Sequence, residues 1–132
     1  MSDPGVTVYL DREDPSYFPG ETLSATYHVV PEGDRGVEAV EVSVLWYTEG
    51  KGDEDLGVHS FERLSAEHVP VDLDRPQRFS TRLPRSPLSY DGLIVKVCWC
   101  VRVRAFCRGG REMFGEAPFR LGNVAPAREV PS

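Results

Sequence analysis

No stretch of the 132 residues approaches the roughly twenty consecutive apolar positions that a helix needs to cross a bilayer. Residues 1–11 carry neither a basic start nor an apolar h-region, so no secretory signal is expected. The chain is therefore expected to be cytoplasmic, with no stable membrane insertion. Cysteine is scarce: Cys98, Cys100 and Cys107 are odd in number, which excludes a disulfide framework. On a strand, Cys98 and Cys100 would lie about 6.5 to 7 Å apart with near-parallel Cβ directions, poor geometry for a bridge. His28, His59 and His68 are scattered and paired-cysteine spacing is absent, so no metal site is expected. The acidic runs at 11–14 and 53–55 lack the alternating ligands and glycine of a calcium loop. There is no Gly-x-Ser-x-Gly elbow, no His-Glu-x-x-His pair and no phosphate loop. The chain is read as non-enzymatic and without a cofactor. No segment keeps a helical period over ten residues.

Basic charge is also in the minority. The formal net charge is −6, which argues against a general nucleic-acid binder. Its distribution is uneven: residues 1–72 hold 16 acidic and 4 basic groups, net −12, and residues 73–132 hold 5 and 11, net +6. Interleaved strands would cancel part of that difference and leave part as a basic strip.

What the chain does have is alternation. In residues 93–106, LIVKVCWCVRVRAF, one parity is Leu93, Val95, Val97, Trp99, Val101, Val103 and Ala105. The other is Ile94, Lys96, Cys98, Cys100, Arg102, Arg104 and Phe106. Successive side chains of a strand point to opposite faces, so this is a strand with one face in a core and one partly wet. Its length predicts a bulge or bend. Further strands are expected at 6–10, 22–30, 37–47, 56–65, 77–83 and 113–121, separated by Gly/Pro turns. The 56–65 pattern is weaker and suits an edge, and Pro118 suggests an edge or irregular position. The fold class that follows is all-β: an antiparallel immunoglobulin-like β-sandwich of about seven strands, favoured over an up-and-down barrel by the uneven loops and the long proline-containing connection at 84–92. One domain over 1–124 and a flexible tail at 125–132 are expected.

Two stretches carry a resemblance. Tyr17-Phe18-Pro19-Gly20-Glu21-Thr22-Leu23-Ser24-Ala25 resembles the Tyr-x-Pro-Gly-Glu-x-hydrophobic-x-Gly opening of arrestin-like domains, with Ala25 where that family usually has glycine. Residues 79–104 include Leu83-Pro84, Pro87-Leu88-Ser89-Tyr90-Asp91-Gly92 and Trp99-Cys100-Val101-Arg102-Val103-Arg104. They resemble the family's Phe-x-Leu-Pro, Pro-Ser-x-x-Gly and Tyr-x-Val-x-Val. The resemblance spans about 5–122 and is to a single N-terminal-type arrestin sandwich, where full arrestins have two. Bacterial sporulation-control proteins are similar in build, as are the cargo-retrieval subunits of eukaryotic endosomes. The resemblance implies a scaffold or adaptor that binds proteins. The phosphate-sensing charges of true arrestins depend on a second domain and are not carried over.

The candidate site is the wet face of the long strand. Lys96, Arg102, Arg104, Arg108 and Arg111 place five cations within 16 residues, with no acid among them. Guanidinium forks suit carboxylate or phosphate, and they equally suit pairing with Glu38, Glu41 or Glu62 on neighbouring strands. Cys98 and Cys100 share that face, and Leu45, Tyr47 and Phe106 make the outer faces unusually apolar. Such a face is expected to be covered by another subunit, a second domain, a partner strand or the chain's own loops. The first functional expectation is a module binding a protein partner or itself through a strand edge or this face. The alternative is a small-ligand module that takes an anion or carbohydrate at Arg102 and Arg104. An enzyme ranks last.

Overall fold

A computed structural model describes residues 5–30, 36–52, 54–65 and 75–122. The tail expected at 125–132 lies outside the described residues, as do most of the expected connections at 31–36 and 66–75. Among the described residues nine strands run in chain order: β1 Val6–Leu10, β2 Ser16–Tyr17, β3 Thr22–Val29, β4 Val37–Gly50, β5 Leu56–Ser65, β6 Gln77–Arg82, β7 Tyr90–Asp91, β8 Val95–Cys107 and β9 Glu112–Leu121. They form two layers. One sheet has the order β1-β3-β6, and the other β2-β9-β8-β4-β5, with β7 added beside β8. All pairings are antiparallel except β2 with β9.

The layers enclose one core, and period-two patterning builds it. Val101, Val103 and Ala105 of β8, with Val40 and Val44 of β4, are fully buried. Met113, Ala117, Phe119 and Leu121 of β9 point the same way, and Gly115 between them lets Val6 of β1 approach closely. Leu23, Ala25, Tyr27 and Val29 of β3 close the core from the other sheet. Trp99 is 1% exposed and donates its indole N–H to the Pro87 carbonyl at 2.7 Å, so its one polar atom is satisfied. Burial of this kind is worth roughly 1.5 to 3 kcal/mol per large side chain.

Four details depart from the expectation. The long strand begins at Val95, and Leu93 and Ile94 sit in an exposed turn, because Gly92 closes onto Val95 by a backbone hydrogen bond of 3.1 Å. The expected bulge lies in neighbouring strands: the β4–β8 register shifts between Val37 and Ala39, and the β4–β5 register between Val44 and Leu45. Inside the loop expected at 11–20, Ser16 and Tyr17 pair with Arg120 and Leu121 of β9. Tyr17 is there fully buried against Phe119, ring centroids 5.6 Å apart. Finally, Tyr90–Asp91 forms a two-residue strand on β8.

Candidate functional site

The face of the larger sheet turned away from the core can be read off the registers, because directly paired residues share a face. From one end to the other its levels are Leu56, Tyr47 and Cys98; then Val58, Leu45, Cys100 and Pro118. Next come Phe61, Ser43, Arg102 and Glu116, and then Arg63, Glu41, Arg104 and Phe114. The first two levels are apolar and the later ones charged. The face is thus divided across the strands, not along them.

The apolar part owes its continuity to one extra residue. Ser60 pairs with Val44 and Val58 with Leu45, so His59 is an insertion in β5. Uninterrupted alternation would put Leu56 and Val58 on the face opposite Phe61. The insertion brings all three to the outer face. They are 58%, 53% and 54% exposed on a strand whose far side has no partner among the described residues. His59 itself stays exposed but reaches across to the other sheet. Its Nε2 donates to the Arg82 carbonyl at 2.7 Å, tying β5 to β6 of the other sheet, and its ring meets Trp99 edge-on. Sequence reasoning placed β5 and its edge position, but simple parity cannot register an inserted residue.

Beside those exposed side chains the sheet is dry. Leu45 and Cys100 are buried although they point outward, beneath taller neighbours. Burial pushes the Cys100 thiol up to about 12. Cys98 is half-buried; burial, then the Glu49 carboxylate 3.8 Å away, also raise its pKa. Neither thiol has the electropositive setting of a reactive cysteine.

The charged part is internally matched. Arg102 meets Glu116 at 2.5 Å, and Arg104 meets Glu112 at 2.5 Å and Glu41 at 4.0 Å. Arg63 bonds the other oxygen of Glu41 at 2.5 Å. Arg63 and Arg104 also flank the Phe106 ring, 5.4 and 5.3 Å from its centroid. The result is a chain of alternating charge, Arg63–Glu41–Arg104–Glu112, across four strands. Of the acids expected to pair with the strip, Glu41 does; Glu112 and Glu116, on β9, take the larger share.

The remaining candidates lie apart. Lys96, at the start of β8, pairs with Asp91 at 3.7 Å. Arg108 and Arg111 lie beyond the other end of β8, roughly 35 to 40 Å along the strand from Lys96. There they border a hollow of about 630 Å³ that also includes Arg63 and Phe106. The structure therefore brings together Cys98, Cys100, Arg102 and Arg104, and not the full set of seven. Among the described residues, no group of three or more His, Cys, Asp or Glu could hold a metal ion. No helix among them is long and apolar enough to cross a membrane.

No protein-family model matches the sequence, and no curated protein matches it. A solved structure does: that of Spo0M, a sporulation control protein from Bacillus subtilis, at a TM-score of 0.58 and 15% identity. The match covers 90% of this chain and 49% of that one. The fold is arrestin-like. This chain spans about half the length of the Spo0M chain it matches. The arrestin-like resemblance seen in the residues is thus matched by the shape of the backbone. Its Tyr-x-Pro-Gly-Glu motif has a structural purpose here: Glu21 accepts the Phe18 N–H at 2.7 Å and holds Arg12 with both carboxylate oxygens.

Proposed function

We propose that the chain is a non-enzymatic interaction module that docks a protein partner on the outer face of its larger sheet, at the β5 side. The observation that carries this reading is the convergence of Leu56, Val58 and Phe61, each more than half exposed, beside the outward-facing Leu45 and Cys100. A solvated sheet face ordinarily carries polar side chains. This one places apolar groups on neighbouring strands along an edge that has no partner among the described residues, the arrangement that invites a covering partner or an added strand. An arrestin-like neighbour described as a control protein fits a module that acts by binding. The absence of a disulfide among Cys98, Cys100 and Cys107 fits a reducing compartment such as the cytoplasm.

The alternative, an anion or carbohydrate held at Arg102 and Arg104, has less behind it. Both guanidinium groups already bond carboxylates on β9. A ligand would have to displace those partners.

The test is capture by the immobilised chain from a lysate, followed by the same assay with a Val58→Asp/Phe61→Asp double variant. A Tyr9→Asp variant, on the other sheet, is the control. Loss of the captured protein in the double variant alone supports the reading. Capture unchanged by the double variant overturns it.

A further inference from the structure

We infer that the partner on this face is a second copy of the same chain, packed sheet against sheet about a two-fold axis running parallel to the strands between β4 and β8. The inference rests on the docking face just proposed and names its occupant.

The charge pattern selects both the occupant and the axis. A two-fold axis parallel to the strands leaves every residue at its own level and exchanges β4 with β8. Apolar levels then meet apolar levels: Leu45 comes opposite Cys100 of the second copy, and Val58 opposite Pro118 of the second copy. At the charged level, Glu41 comes opposite Arg104 of the second copy, and the symmetry repeats that contact. The Glu41–Arg104 pair that is complementary side by side within one sheet is therefore complementary again across the interface, while Ser43 comes opposite Arg102 and Phe61 opposite Glu116 of the second copy. An axis perpendicular to the strands, centred between the apolar and charged levels, would set Glu41, Arg102 and Arg104 against apolar groups as well, and burying more charge against hydrocarbon is more costly.

The size is adequate. Four strands about 4.8 Å apart and about ten residues long present roughly 650 Å² of projected face. A standard stable interface takes roughly 800 Å² of accessible surface from each partner, and accessible surface exceeds its projection. Two sheets packed in this way lie about 10 Å apart with strands within about 30° of parallel.

The experiment is size-exclusion chromatography with light scattering on the full chain, from micromolar to millimolar concentration. The parent is expected to reach twice the monomer mass. Glu41→Arg and Arg104→Glu are each expected to remain monomeric, because like charges then face one another. An equimolar mixture of the two is expected to regain the doubled mass, since each mixed pair sets arginine against glutamate at both contacts. Pairing within one chain cannot produce that rescue. If circular dichroism shows that either reversal fails to fold, the Val58→Asp/Phe61→Asp variant decides instead: loss of the dimer supports the inference. A parent that stays monomeric at millimolar concentration overturns the second-copy inference and leaves the docking face to the capture test. A dimer indifferent to the reversals or to the Val58→Asp/Phe61→Asp variant overturns it as well, because its contact then lies elsewhere.

Discussion

The guanidinium of Arg12 lies over the ring of Tyr17, 4.1 Å from its centroid, while two of its nitrogens grip Glu21 at 3.0 and 3.2 Å. A third contact, to the Ser16 carbonyl at 2.6 Å, fixes the guanidinium beside the turn. Tyr17 in turn donates to Asp11 at 2.5 Å, and burial followed by that bond raises its pKa well above the ordinary phenol range. The arrangement locks the Pro19-Gly20 turn, where Gly20 takes a φ of 87°, against the sheet edge.

Arg12→Ala is expected to cost about 1 kcal/mol, the scale of a partly exposed bidentate pair with a stacked ring. Its pH dependence identifies the cause. The Arg12 guanidinium, then the Phe18 N–H, hold the Glu21 carboxyl below its ordinary value. A carboxylate depressed in the folded state adds stability above its unfolded pKa of about 4.3, and that stability is lost as pH falls through the folded value. The parent should therefore lose melting temperature on acidification more steeply than Arg12→Ala in that window. Parallel curves would remove Glu21 from the account.

Gly57→Ala tests the β5 register. Gly57 pairs with Trp46, and a Cβ at position 57 would fall inside the Trp46 indole. Overpacking of this kind costs about 1 to 3 kcal/mol. The unfolding free energy is expected to fall by that amount, and the denaturation midpoint with it. An unchanged midpoint would mean that the His59 insertion is placed wrongly and Gly57 faces outward.

That register also marks where the sequence stopped being informative. Trp99, Val101 and Val103 announce their burial through parity, because in regular backbone parity determines the face. The same rule applied to β5 puts Leu56 and Phe61 on opposite sides, because an inserted His59 has no signature of its own in a polar edge strand. The arginines show the same limit. Arg102 and Arg104 were legible as a strip. Their partners Glu112 and Glu116 lie on β9, and only the β8–β9 register brings them opposite. Tyr17 was hidden for another reason. A strand of two residues has no period to detect, and its burial depends on Phe119, about a hundred residues away.

The ion-pair chain predicts a muted response to anions. Arg102→Ala and Arg104→Ala are each expected to cost about 0.5 to 1 kcal/mol, since the two arginines and their partners Glu41, Glu112 and Glu116 all remain partly exposed. At constant ionic strength, phosphate or sulfate should raise the parent's melting temperature no more than chloride does. A specific rise in the parent that disappears in the Arg102→Ala/Arg104→Ala double variant would revive the anion reading.

Cys100 sets the behaviour at the alkaline end. Burial raises its folded pKa to about 12, against about 8.5 for an unfolded thiol. Below the unfolded value both states keep the proton, and the group adds no pH dependence. Between the two values the unfolded chain releases a proton that the folded chain retains. Rising pH therefore favours unfolding, by up to about 1.4 kcal/mol per unit. Cys100→Val removes that linkage, because an aliphatic side chain has no proton to release. The variant should show a shallower fall in stability than the parent between about pH 8.5 and 10. Above that range Tyr17, Tyr27 and Tyr47, all raised chiefly by burial, impose a common decline on both proteins. Denaturant midpoints measured at half-unit intervals of pH separate the two regimes. Identical slopes below pH 10 would mean that Cys100 is ionised or wetted in the folded chain, and so would contradict the dry outer face on which the docking proposal stands.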